Sequence, residues 1–247
     1  MLGPKTDVED FVLQLDLPDT GPQFEAVEPE RVTGDLIAVG SQLAEFTGTV
    51  DPESRLAVSD AMLLAQLAAD KASTPDEAVF TWYDRYVATL RSIGFSVIDK
   101  EEATQDIDDD NLSLHEAAIP VIAAALGPAV AAASLVIKAL DGLKSMNADQ
   151  PWITLFERNS RHVHGAAFQV SRIEGDANGN PHVTLLCFAV TAQRTITQVL
   201  FLKFSDDDVS LRQSKHILTC NRASLPVEAI AGRVKPFLAD NVAALEL

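Results

Sequence analysis

Apolar positions in the first half of the chain recur at three- and four-residue spacing, which predicts helices. Residues 31–47 read as helical on Leu36, Ile37, Leu43 and Phe46. A second helix starts at Asp51-Pro52-Glu53, because proline is tolerated at the first helical position, and its stripe is Leu56, Leu63, Leu64 and Leu67. Thr74-Pro75-Asp76-Glu77 has the form of a capping box. It opens the clearest helix, which ends near Gly94 and carries Val79, Phe80, Tyr83, Tyr86, Val87 and Leu90 on one face. A short strand at 95–98 and an acidic loop at 100–111 follow.

Residues 117–137 contain no charge, a run of bilayer-crossing length. Gly127-Pro128 interrupts it, and it is rich in alanine rather than leucine. A proline inside a helix removes a donor and clashes with the preceding turn, at a cost of about 3 kcal/mol. The pattern therefore predicts two short helices, 112–126 and 128–144, folded as a hairpin. It reads first as core and second as a conditional membrane-inserting element.

After Pro151 the pattern changes to β, with candidate strands at 152–158, 163–173, 182–192, 195–204 and 208–220. Asp176-Ala177-Asn178-Gly179-Asn180 is a turn, since Asn-Gly accepts positive φ. Gln193-Arg194 and Asp206-Asp207-Asp208 mark two further tight connections. A helix at 225–239 closes the chain on Val227, Ile230, Ala231, Val234, Phe237 and Leu238, with Pro236 ending or kinking it. The expected fold class is α+β: an antiparallel β-meander of about five strands packed with surrounding α-helices, including the Ala-rich apolar hairpin. Pro4, Pro18, Pro22 and Pro29 among acids mark residues 1–30 as an extended acidic arm. Residues 31–247 form a single domain, helical over 31–150 and β plus the last helix over 151–247.

Composition excludes several classes. With 47 % hydrophobic residues the chain is not disordered throughout, and 2 cysteines in 247 residues do not make a disulfide scaffold. Residues 1–110 hold 24 acidic and 7 basic side chains while 111–247 hold 12 of each, so the whole net charge of −17 belongs to the first part. Such acidity repels nucleic acid and anionic lipid heads, and no nucleic-acid partner is expected. The start of the sequence has neither a secretory n-region nor a myristoylation signal. The expected compartment is the cytoplasm of the producing cell, with release or membrane association as the alternative.

Phosphate loops, Gly-rich nucleotide turns and nucleophile elbows are absent from the sequence. Asp106-x-Asp108-x-Asp110 resembles the start of a calcium loop, but Asn111 stands where glycine is wanted and the acid, Glu116, falls one residue early. His162-x-His164 lacks further ligands at clear spacing. No metal is expected.

The cysteines remain. Cys187 lies in a strand apolar on both faces, which reads as central and covered. Its bland reading is a small inert hydrophobe. A hairpin turning near 177 would place it opposite Ala167, with Gly165 and Gln169 diagonal and Leu200 on its other side. Small residues there, facing an Ala-rich hairpin, would leave a channel for a linear apolar chain. Cys220, with Arg194 and Arg222 near in sequence, is the alternative nucleophile, since cations lower a thiol pKa.

From Val79 onward the order of elements resembles the Erwinia virulence factor (Evf) family of insect-gut virulence proteins. The residues that carry it are Phe80-Thr81-Trp82-Tyr83-Asp84-Arg85-Tyr86 with Ile93-Gly94-Phe95, the apolar run 117–137, Gly165-Ala166-Ala167-Phe168-Gln169 and Val199-Leu200-Phe201-Leu202-Lys203-Phe204-Ser205. The resemblance implies helices around an antiparallel sheet and a cysteine carrying a fatty acyl group as a thioester in an internal apolar cavity. It implies acyl transfer as an activity. By strand context Cys187 is the position most similar to the acylated one, with Cys220 as the alternative.

The sequence thus leads to a thioester-forming acyl carrier or acyltransferase with Cys187 as nucleophile. The acyl chain would lie among Gly165, Ala167, Gln169, Leu200, Ile122, Leu126 and Val130. Its partner would be a fatty acyl donor such as acyl-CoA or another acyl ester. No separate cofactor is expected beyond that covalent acyl group. The second expectation is a non-enzymatic virulence protein that is membrane-active or binds a hydrophobic ligand, with a membrane surface as partner.

Overall fold

The computed structural model describes residues 4–19, 34–74, 77–105, 113–143, 150–162, 165–192, 199–201 and 209–245. The chain forms α1 (Pro4–Gln14), β1 (Leu36–Val39), β2 (Gln42–Phe46), α2 (Pro52–Ala72), α3 (Val79–Ser92) and β3 (Phe95–Gln105). It continues with α4 (Leu114–Leu126), α5 (Pro128–Ala131), α6 (Leu135–Gly142), α7 (Pro151–Ser160) and β4 (Arg161–His162). It closes with β5 (Gly165–Gly175), β6 (Pro181–Ala192), β7 (Val209–Cys220), α8 (Val227–Val234), α9 (Leu238–Asn241) and β8 (Val242–Ala244).

One eight-stranded sheet takes the order β3-β7-β6-β5-β2-β1-β8, with β4 pairing β5 off this path. The pairs are antiparallel except β2 with β5, which is parallel, so the sheet is mixed. Helices α1, α2, α3 and α8 cover one face, and α4, α6 and α7 cover the other. The protein is α+β, as the pattern predicts.

Local chemistry sets the well-defined elements. Asp51 Oδ1 accepts the Ser54 amide at 2.9 Å and Pro52 starts α2, as expected of that dipeptide. Gly127 at φ +80 and Pro128 separate α4 from α5, and the Ser134 hydroxyl accepts the Ile137 amide at 3.4 Å to start α6. The uncharged run is therefore three short helices. Asp176 accepts the Asn178 and Asn180 amides at 2.8 Å each and Gly179 sits at φ +78, so the Asn-Gly turn joins β5 to β6.

Two segments differ in type from the expectation. Residues 36–46 form a β-hairpin instead of a helix. Leu36–Val39 are buried throughout, and a run that is apolar on both faces carries no helical period of its own. Gly40 at φ +56 and Ser41 link Val39 to Gln42, and pairing with β5 and β8 holds both strands in the sheet. Residues 151–160 are a helix instead of a strand, with Trp152, Ile153 and Phe156 packed at helical spacing on the second core.

The remaining differences concern extent. Residues 4–14 of the expected arm are helical, and Val12 is buried. The expected acidic loop is strand as far as Gln105, and its remainder lies outside the described residues. Of the expected strand at 195–204, the described residues 199–201 form a turn. The last helix breaks at Lys235–Phe237 into a 3-10 turn, where Pro236 was expected to act, and β8 follows it.

Candidate functional site

The two faces of the sheet differ in chemistry. Beneath α2 and α3 the centre of the sheet is polar. Tyr86 donates its hydroxyl to Gln42 Oε1 at 2.7 Å, and Gln42 Nε2 reaches Ser171 Oγ at 2.7 Å and Met62 Sδ at 2.9 Å. The Ser41 hydroxyl lies 3.0 Å from both Gln66 Oε1 and Gln169 Oε1, and Gln66 Nε2 donates to the Val39 carbonyl at 2.9 Å. The Tyr83 hydroxyl lies 2.9 Å from the Phe168 carbonyl and 2.5 Å from that of Phe188. Buried polar groups are stable only when paired, so this network fixes α2 and α3 on the sheet in one arrangement.

Cys187 sits inside this polar region. Its cross-strand partners are Gln169 on β5 and Ser214 on β7, and Ala167 is diagonal to it. The Ser214 hydroxyl stands across the β6–β7 pair from the thiol and lies 3.2 Å from His216 Nε2. Cys187, Ser214 and His216 thus form a line along one face of β6 and β7. The sulfur is fully buried, and burial pushes its thiol pKa up to about 12 against the weaker pull of Ser214 and Lys100. Burial likewise holds the His216 imidazole below its usual value, and Lys100 across the β3–β7 pair adds to this.

The other face is apolar where β5 and β6 meet. Phe168 and Phe188 stack at 4.7 Å and 8°, flanked by Ala166, Val170, Leu186 and Val190. Helix α4 lies over this face, and a cleft of about 390 Å³ separates part of it from the sheet. Pro120, Val121, Ala124, Ala125 and Leu186 line the cleft, and the Glu101–Lys215 ion pair at 3.8 Å stands in its wall. Alanines leave space here because nothing larger fills the gap. Among the described residues no helix is long and apolar enough to cross a membrane.

These positions correct the expected acyl site. The register is offset by two residues, so Gln169 and not Ala167 faces Cys187, and the face is preserved. Gly165 lies at the start of β5, opposite Thr191. Ser214, not Leu200, stands on the far side of Cys187. Leu200 and Ile122 are buried in the opposite core, Leu126 packs on that core's edge, and Val130 is half-buried on α5. The sheet therefore separates Cys187 from the hairpin half of the expected lining, and the small-residue space opens on the hairpin's side.

Cys220 pairs with Phe95, and burial also pushes its thiol up to about 12. Arg222 makes ion pairs with Glu53 and Asp51 and is not among the groups that move this thiol. Arg194, the calcium-like run 106–110 and His164 lie outside the described residues. Among the described residues no group of three or more His, Cys, Asp or Glu side chains converges as a metal would require.

No family model matches the chain, and no curated protein matches it significantly. Three solved structures are similar in outline. A delta-endotoxin is 14 % identical over 87 % of this chain and 96 % of its own, with a TM-score of 0.42. Activated Cyt2Ba monomer from Bacillus thuringiensis subsp. israelensis is 10 % identical over 72 % and 96 %, with a TM-score of 0.41. The Evf virulence factor is 13 % identical over 97 % and 91 %, with a TM-score of 0.30. Scores this low establish neither a shared family nor a shared activity.

Sequence reasoning overlooked the polar network. Its signal was the alternation in β5, where Gln169 and Ser171 share one face while Phe168 and Val170 share the other.

Proposed function

We propose that this is a membrane-active protein of the toxin or virulence-factor kind, whose α4–α6 layer leaves the sheet to meet lipid. The observation that carries the reading is the contrast between its two helical layers. Helices α2 and α3 are fixed by the buried polar network, whereas α4–α6 are uncharged over 117–137, broken at Gly127-Pro128 and Ser134, and parted from the sheet by a cleft. Displacing that layer uncovers the part of the apolar Phe168–Phe188 face that Phe156 of α7 does not cover. The acids of α1–α3, including Asp7, Glu9, Asp10, Glu53 and Asp84, belong to the other side, so the side turned to lipid is the less charged one. The descriptions of the similar structures agree with this reading and do not carry it.

The test is a single thiol-reactive reporter. The native cysteines are buried, so Ala125→Cys labelled with an environment-sensitive fluorophore reports on α4 alone. A blue shift and dye release with phosphatidylcholine vesicles are expected. Unchanged emission and intact vesicles would overturn the reading.

A second reading, an acyl thioester on Cys187, is favoured by the Cys187–Ser214–His216 line. The sulfur would attack an acyl-CoA carbonyl, with the CoA thiol leaving and the thiol proton passing toward Ser214. Intact mass decides it: an added acyl mass, lost with neutral hydroxylamine and absent from Cys187→Ala, supports it, and an unmodified mass refutes it.

A further inference from the structure

We infer that Glu45 is the latch that keeps the α4–α6 layer on the sheet, and that this contact autoinhibits the membrane activity proposed above. The inference rests on that reading for its consequence but not for its geometry. Glu45 is on β2, 3 % exposed, and points to the side opposite Gln42 and Phe46. One carboxylate oxygen, Oε2, accepts the Ser134 hydroxyl at 2.7 Å and the amides of Leu135 and Val136 at 3.0 and 3.3 Å. These are the first groups of α6, whose amides have no partner within the helix. The other oxygen is paired with Arg172, the residue beside Glu45 in the parallel β2–β5 register. Arg172 also reaches Glu174 at 3.2 Å.

A buried carboxylate placed on a helix N-terminus and held by a guanidinium satisfies both ends of the contact. The hydrogen bonds of Glu45 join α6 directly to a strand of the sheet. On the opposite face, Gln66, Met62, Tyr83 and Tyr86 all reach strands or the link between β1 and β2. Breaking one residue's contacts therefore loosens one layer and leaves the other in place. Helix α4 is tied instead to the 199–201 turn, through His115 Nδ1 and the Leu200 carbonyl at 2.7 Å, and Glu157 of α7 accepts the Val199 and Leu200 amides of that turn.

The experiment is hydrogen exchange on the full chain, comparing wild type with Glu45→Gln and Ser134→Ala. Glu45→Gln keeps the shape and one acceptor but removes the charge, and Ser134→Ala removes one donor only. Charged hydrogen bonds of this kind shift local opening by about tenfold or more. Faster exchange confined to 114–142, with 52–92 unchanged and a larger effect in Glu45→Gln, is the expected result. Equal exchange in all three proteins, or a uniform rise across the chain, would overturn the latch. Should Glu45→Gln fail to fold, Ser134→Ala alone decides. Dye release from phosphatidylcholine vesicles is measured in parallel. Selective loosening with faster release supports latch and function together, and selective loosening without release keeps the latch and refutes the membrane reading.

Discussion

Cys187 and Phe188 are adjacent in the chain and look into different cores. The thiol faces Tyr83 and Tyr86 of α3, while the ring stacks on Phe168 beneath the α4–α7 layer. One residue of β6 thus divides a polar interior from an apolar one, and each side has its own measurable behaviour.

On the membrane-active reading the thiols are expected to be inert, and their burial makes the fold sensitive to alkali. Both Cys187 and Cys220 are pushed up to about 12 by burial, against 9.0 for an ordinary thiol. Above pH 9 the unfolded chain releases these protons and the folded one keeps them, so stability falls as pH rises from 9 toward 12. The slope is about 1.4 kcal/mol per pH unit for each thiol. Urea unfolding at pH 8 and pH 10.5 measures it, and Cys187→Ala should remove part of the slope. Thiol reagents should modify neither residue before unfolding.

Removing the Tyr86 hydroxyl should cost more than its size suggests. Tyr86→Phe leaves Gln42 Oε1 without its 2.7 Å donor in a fully buried place. An orphaned buried acceptor costs about 1–3 kcal/mol. The urea midpoint should fall with its slope unchanged, and no fall would mean that the network does not hold α3 to the sheet.

Gly40→Ala should weaken the β1–β2 hairpin. Gly40 has φ +56, and an added Cβ would come within 2.4 Å of Gln66 Oε1, the acceptor of the Ser41 amide and hydroxyl. The left-handed backbone alone costs about 1–2 kcal/mol for a residue with a Cβ. A melting temperature lower by several degrees is expected, and an unchanged one would show that the hairpin adjusts freely.

The parts of the fold readable from sequence were those whose signals are local. The Asp51-Pro52 cap, the Tyr83–Tyr86 stripe, the Gly127-Pro128 break and the Asn-Gly turn each act within a few residues, and each is found where expected. The β1–β2 hairpin was not readable, because Leu36–Val39 are held as strand by β8 and Gln42–Phe46 by β5, both more than a hundred residues away. Helix α7 was missed because ten residues with four large apolar side chains, Trp152, Ile153, Leu155 and Phe156, fit either period. The face of Cys187 followed from the hairpin, but which layer that face meets depends on the parallel β2–β5 contact. Glu45 carried no signal at all, since its partners at 134–136 and 172 are set by topology.

Acid should destabilise the protein through His216, against the opposite effect of Asp70, whose carboxyl burial pushes up to about 6. The imidazole is buried on β7, Nε2 faces the Ser214 hydroxyl, and Nδ1 is buried without a partner. Burial disfavours its cation, and Lys100 opposes it further, while Glu102 and Asp84 only partly offset this. Its folded pKa therefore lies below 6.5, the value at which the unfolded chain takes up its proton. Below pH 6.5 the unfolded imidazole takes up its proton before the folded one does, so this contribution to stability is present above pH 6.5 and is lost as pH falls through the lowered folded value. His216→Gln keeps a polar partner for Ser214 and removes the titration. Wild type should lose melting temperature between pH 7 and pH 5, and His216→Gln should lose less. Equal losses would assign the acid response to other groups.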